Sequence, residues 1–158
     1  MPKGQRGALC VRGPAVIKGY LNRDAAADLP GGWFNTGDVA EIDEDGFVYI
    51  VDRIKDMVLR GGENVYCVEV ESALFEHDAV KDCAVIGLPH QKLGEEVAAV
   101  IVPADGHGEH SEDDVLSHLK SRLAPFKVPS RVFWRTQELP RNATGKVLKK
   151  DLRDEYSK

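Results

Sequence analysis

Over residues 7–51 the apolar positions come in short runs broken by glycine, proline and acidic turns. The runs GALCVRG (7–13) and AVIKGYL (15–21) predict two short strands separated by Gly13-Pro14. The Ala-rich stretch Asn22–Asp28 predicts one or two helical turns, ended by Leu29-Pro30-Gly31-Gly32. Trp33–Asp38 then leads into a strand at Val39–Ile42. The turn Asp43-Glu44-Asp45-Gly46 returns the chain as Phe47–Val51, an antiparallel hairpin. This part is strand and turn, with too few long apolar stretches for an independent core.

Asp52–Val65 is a charged connector (Asp52, Arg53, Lys55, Asp56), a strand-like run (Met57, Val58, Leu59) and a glycine pair, Gly61-Gly62. Beyond it the period changes. Val68, Val70, Ala73 and Leu74 among Glu69, Glu71 and Glu76 predict a short helix with an acidic face. Cys83–Ile86 and Val97–Val102 predict buried strands, the first stopped by Gly87 and Pro89, the second by Pro103. Ala104–His110 reads as a polar surface loop, and Ser111 with Asp114 resembles a capping box. The helix it opens puts Val115, Leu116, Leu119 and Leu123 on one face and ends before Pro125. A third strand at Arg131–Arg135, a loop at Leu139–Lys146 and a short helix marked by Leu148, Leu152 and Tyr156 complete the chain. The order after the connector is β, α, β, β, α, β, α. The expected fold class is α+β: a small mixed sheet with flanking helices, preceded by a β-hairpin-rich segment.

Composition narrows the function classes. The 158 residues are 42% hydrophobic, enough for a packed core. The longest apolar run, Val97–Val102, is strand-sized, so no transmembrane segment is expected. MPKGQRG has no apolar stretch behind it and does not read as a signal peptide. Cys10, Cys67 and Cys83 are odd in number and lack CxxC spacing, which fits lone thiols in a reducing cytoplasm. The charge is uneven. Residues 1–119 carry 10 Lys/Arg against 22 Asp/Glu, and residues 120–158 carry 11 against 4. A basic tail on an acidic body suggests an anionic partner near the tail. The tail lacks the interleaved aromatics of a nucleic-acid platform, and a small phosphorylated ligand fits as well.

Several residues carry candidate chemistry, each with an ordinary alternative beside it. Asp38, in Thr36-Gly37-Asp38, suits acceptance from ribose hydroxyls, though such a tripeptide also makes a plain turn. Arg53 and Lys55 flank Ile54 and in extended backbone share one face; a solvated surface pair is the alternative. Gly61-Gly62 permits close approach to backbone, or is simply a hairpin turn. Lys146 follows a glycine-containing loop and precedes a helix, free to reach a phosphate oxygen. Pro140 and Val147 stand where a P-loop needs Gly and Ser/Thr, so it is not one. The five histidines have no metal-ligand spacing, and no GxSxG elbow occurs.

In this order these pieces resemble the adenylate-forming acyl-CoA synthetases. The matching stretches are GYLNRDAA (19–26), GGWFNTGDVAEIDEDGFVYIVDR (31–53), IKDMVLRGGENVYCVEVESAL (54–74), VIGLPHQKLGEEVAAVIVP (85–103) and ELPRNATGKVLKKDL (138–152). The resemblance implies a two-step acid–thiol ligase: acid and ATP give acyl-adenylate and pyrophosphate, then coenzyme A displaces AMP. It implies that Asp38 holds the ribose of ATP or AMP, with Arg53 near the ribose and phosphates. It further implies that Lys55 is the hinge, that Gly61, Gly62 and Glu63 line the CoA channel, and that Lys146 is the catalytic lysine. Residues 1–52 then correspond to the edge of a large N-terminal adenylation domain and 53–158 to the C-terminal lid. The phosphate loop, adenine and acyl pockets and the Mg-holding glutamate belong to that N-terminal domain, the expected partner, together with a carboxylic acid and CoA. No metal site is expected in this chain, and the chain alone is expected to be inactive. Cys67 stands where relatives often have proline. The alternatives are an adenylation domain loading a carrier protein, or a stand-alone nucleotide- or partner-binding module.

Overall fold

The computed structural model describes residues 2–104 and 112–157. The chain divides into two compact units, residues 1–55 and 56–158. The first holds β1 (Arg6–Val11), a helical turn α1 (Ala25–Asp28), β2 (Phe34–Ile42) and β3 (Val48–Arg53). These strands form an antiparallel sheet in the order β1-β2-β3, turned at Gly46 with φ 92°. The strand expected at 15–21 does not form. There Val16 N–H donates to the Gly13 carbonyl (3.1 Å) and Arg23 N–H to that of Tyr20 (3.3 Å). These amides are satisfied in local turns, which the neighbouring glycines permit. β2 begins earlier than expected and takes in Thr36-Gly37-Asp38, so that tripeptide lies within a strand, not in a turn.

The second unit contains β4 (Val58–Arg60), β5 (Glu63–Val65), α2 (Cys67–Phe75), β6 (Val80–His90), β7 (Gly94–Pro103), α3 (Glu112–Lys120), β8 (Arg131–Trp134) and α4 (Lys149–Tyr156). β6 and β7 form a long antiparallel ribbon, in register from Val80 opposite Pro103 to His90 opposite Gly94. β8 pairs in parallel with β7 at Ala98–Ile101, while β4 meets β7 at Gly94. The mixed sheet and flanking helices of the α+β expectation are thus present, with one additional short strand, β5. The polar loop at 104–110 and the Ser111 cap fall almost wholly outside the described residues.

β6 runs through Gly87 and Pro89, where the sequence predicts its end. Val85 N–H donates to the Glu71 carboxylate (2.8 Å), not to β7. Alternation places the amide position of Pro89 on that same outer edge, where its missing N–H removes no ladder bond.

Strand periodicity divides the core. Cys83, Val85, Val97, Ala99 and Ile101 face α2 and α3, meeting Val70, Leu74, Val115 and Leu119. Ala84, Ile86, Leu88, Ala98, Val100 and Val102 face α4, meeting Leu139 and Leu152. Leu123 lies beyond the end of α3 yet packs on the first cluster, as its spacing predicts. The sheet is therefore covered on both faces, which explains why β6 and β7 are continuous apolar runs.

Candidate functional site

Asp38 and Arg53 lie opposite one another on β2 and β3. Arg53 Nε bonds Asp38 Oδ1 at 3.3 Å. Asp38 Oδ2 has no hydrogen-bond partner among the described residues and remains available as an acceptor. Gly37 has φ 80°, and a Cβ there would come to 3.9 Å of the guanidinium. Thr36 fixes the strand by donating to the Leu9 carbonyl (3.1 Å) and accepting from Asp38 N–H (3.1 Å). Extended backbone ends at Arg53. Ile54–Asp56 form a turn, and Ile54 N–H donates to the Gly37 carbonyl (2.9 Å). The shared face expected for Arg53 and Lys55 therefore does not arise, because the period-two rule stops with the strand. Lys55 is exposed and ends the first unit.

Gly61 and Gly62 form the two-residue loop between β4 and β5, with φ 60° and 91°. Both central residues require left-handed backbone, which marks a type I′ turn and explains the pair. Glu63 is exposed at the start of β5, opposite Arg60. The turn is fastened to the tip of the β6–β7 ribbon, where Gly61 N–H donates to the Leu93 carbonyl (2.8 Å).

Lys146 lies on a loop whose ends are buried, by Leu139 on one side and by the partly buried Val147 against the α4 core on the other. Within it, Asn142 Oδ1 accepts from Thr144 N–H (3.1 Å), Thr144 Oγ1 (2.8 Å) and Lys146 N–H (2.9 Å). Arg141 donates to the Gly145 carbonyl (2.8 Å) and to Asp82 Oδ2 (2.6 Å), tying the loop to the start of β6. Gly145 takes φ 82°. The loop backbone is held while the Lys146 side chain is exposed and enters no ion pair among the described residues. Sequence reasoning missed Asn142 and Arg141. The available signal was an Asn two residues before a Thr, the pattern of an Asx turn.

Asp82 and His90 are eight residues apart on β6, roughly 26 Å at about 3.3 Å per residue. Lys146 and the glycine pair therefore occupy opposite ends of the ribbon, so one small reacting centre cannot meet both at once.

The basic tail is largely answered inside the protein. Arg122 pairs with Glu76, Lys127 with Glu69, Arg131 with Glu96 and Arg141 with Asp82. On α4, Lys149 pairs with Glu71 (2.8 Å) and Arg153 with Asp56 (3.0 Å). Burial works against the Lys149 charge, but the neighbouring Cys67 and Glu71 outweigh it and raise its pKa. The anionic partner read from the charge asymmetry is in large part the acidic body itself. Among the described tail residues Lys120, Lys146 and Lys150 enter no such pair. No group of three His, Cys, Asp or Glu suited to a metal occurs among the described residues, and no helix is long and apolar enough to cross a membrane.

The family described as AMP-binding enzyme C-terminal domain matches residues 69–146. The chain is 46% identical to a feruloyl-CoA synthase of Amycolatopsis, over 99% of this chain and 32% of that protein. It is likewise 46% identical to a long-chain-fatty-acid–CoA ligase of Mycobacterium tuberculosis, over 96% of this chain and 30% of that one. ATP-bound MatB from Rhodopseudomonas palustris superposes with a TM-score of 0.91 at 42% identity, covering 99% of this chain and 31% of MatB. The chain thus spans about a third of the length of the relatives it matches. Residues 69–146 thus match the C-terminal domain of the AMP-binding enzymes, and the chain as a whole is similar to one part of the CoA ligases it aligns with.

Proposed function

We propose that this chain is the C-terminal part of an ATP-dependent acyl-CoA ligase acting in the cytoplasm. Residues 1–52 form the strand-rich edge of the adenylating body, and 53–158 form the lid. In the first step a carboxylate oxygen attacks the α-phosphate of ATP, giving acyl-adenylate and releasing pyrophosphate. In the second the thiol sulfur of coenzyme A attacks the acyl carbon, its proton is lost, and AMP leaves.

Each candidate residue has a role suited to its geometry. Asp38 accepts from the ribose hydroxyls through the oxygen that Arg53 leaves open, and Arg53 holds that carboxylate and faces the phosphates. The ammonium of Lys146 stabilises the charge that develops between carboxylate and α-phosphate, an interaction strongest in the transition state. Gly61, Gly62 and Glu63 line the path of the pantetheine arm, where a turn without side chains leaves room. Lys55 is the pivot between the two settings. The magnesium that accompanies ATP neutralises phosphate charge when bound. Its ligand is assigned to the body beyond this chain.

The observation that carries this reading is the separation of the Lys146 loop from the Gly61-Gly62 turn along β6. A lid that serves two successive reactions with two different ends must turn between them. The test uses a chimera in which this chain replaces the corresponding third of Rhodopseudomonas palustris MatB. Lys146→Ala should slow acyl-adenylate formation by about 10²–10³-fold, the usual effect of removing one such contact. Thioester formation from pre-made acyl-adenylate should persist. Equal loss of both half-reactions would defeat the two-setting lid. The 158 residues alone should give no ATP–pyrophosphate exchange, since the relatives are about three times as long.

A further inference from the structure

Glu95, near the start of β7, has a carboxylate committed to two neighbours. Its Oε2 accepts from the backbone N–H of Leu59 on β4 at 2.8 Å. Its other face lies against Gly87 on β6, where an added Cβ would come within 2.9 Å of Oε1 and 3.0 Å of the carboxyl carbon. Gly87 does not need glycine for its backbone, since its φ is not in the left-handed region. What it lacks is space, and the occupant of that space is Glu95.

The partner of that carboxylate matters. Leu59 is two residues before Gly61, on the strand that carries the glycine turn. Only one register pair joins β4 to β7, Arg60 opposite Gly94. Two further bonds flank it: the Leu59 amide on Glu95, and Gly61 N–H on the Leu93 carbonyl (2.8 Å). A charged acceptor makes the first of these the stronger kind of hydrogen bond. Removing it leaves β4 joined to β7 by a single register pair and one backbone bond.

We propose that Glu95 is a positioning residue for thioester formation: seated over Gly87, its carboxylate holds the Leu59 amide and so fixes the height of the Gly61-Gly62 turn. The inference rests on the proposed function in assigning that turn to the CoA step, whereas the anchoring itself is a property of this chain. Glu95→Ala removes the acceptor, and Gly87→Ala displaces it without altering Glu95. Glu95→Gln retains a carbonyl oxygen that accepts the same bond.

Two measurements decide it. Amide hydrogen exchange on the 158-residue chain should show Leu59 exchanging at least tenfold faster in Glu95→Ala and Gly87→Ala, and within about threefold of the parent in Glu95→Gln. In the MatB chimera, Glu95→Ala and Gly87→Ala should raise KM for coenzyme A about tenfold or more. Adenylation should stay within about twofold, and Glu95→Gln should restore the CoA step. Unchanged Leu59 exchange in Glu95→Ala overturns the anchor. Faster Leu59 exchange with an unchanged CoA step, or equal loss of both half-reactions, overturns its role in positioning. A chimera that retains adenylation after Lys146→Ala defeats the lid reading instead, and leaves the exchange result to decide the anchor.

Discussion

Single residues show where chemistry is held and where it is suppressed. Asn142 turns one carboxamide oxygen into the acceptor for three donors around Lys146. Asn142→Ala should lower the adenylation rate of the chimera about tenfold while leaving its CoA step intact. A matched loss in both steps would mean that the substitution simply unfolds the loop. The cysteines divide by burial: Cys10 is exposed, whereas Cys67 and Cys83 are buried. Burial, with Glu71 and Asp82 nearby, pushes the Cys83 thiol well above its ordinary pKa. Iodoacetamide should therefore modify Cys10 in the native chain and spare Cys83, as mass spectrometry would show. The same shift has a sign for stability. Folded Cys83 keeps its proton after the unfolded thiol has lost its own, so unfolding releases protons as pH rises. The raised pKa of Lys149 acts in the same direction at higher pH. Stability should be flat up to about pH 8.5 and then fall, and Cys83→Ala should flatten the first part of that fall. A urea midpoint that rises between pH 8 and 10 would contradict this.

Among the elements, α4 joins the most distant parts of the second unit. Its Leu152 is fully buried against β6 and β7, while Lys149 and Arg153, one turn apart, reach Glu71 on α2 and Asp56 at the start of the unit. The Lys146 loop leads directly into it. Leu152→Ala should cost about 2–5 kcal/mol by opening a cavity, measured from the urea midpoint of the second unit. Arg153→Met should cost less, because that pair is partly exposed and solvent weakens it. Equal losses would place the ion pair above the apolar contact. β6 shows how an element escapes reading from its residues. Gly87 and Pro89 are breakers by local rules, yet one makes room for a carboxylate and the other faces an edge with no ladder to break. Neither reason exists until β7 and Glu95 are in place.

Over the whole molecule the two units differ in how they are stabilised. The second has two packed clusters on either side of its sheet. Among its described apolar side chains the first buries only Leu29, Val39 and Ala40, and leaves Phe47, Val48, Tyr49 and Ile50 more than half exposed. Consecutive exposed apolar residues on β3 mean that neither face of the sheet is covered along that part of the strand. Each unit holds one tryptophan, Trp33 in the first and Trp134 in the second. Urea unfolding should therefore resolve two fluorescence transitions, with the Trp33 signal lost at lower urea than the Trp134 signal seen alone in a Trp33→Phe variant. Coincident transitions would show that the first unit draws its stability from more than its own core.

The order of elements from α2 to α4, the two-faced strands, the glycine turn and the exposed lysine were legible in the residues themselves. Each depends on local rules: periodicity, left-handed turns, or a loop with nothing to bury. The resemblance to adenylate-forming ligases was legible for the same reason, since its motifs are short and contiguous. Only tertiary structure decided that Lys146 and Gly61-Gly62 sit at opposite ends of one ribbon. It alone paired the basic tail with the acidic body, and set Glu95 between Gly87 and the Leu59 amide. Those facts join residues distant in sequence, and no local propensity records which strand edge or carboxylate will lie beside which amide once the core has closed.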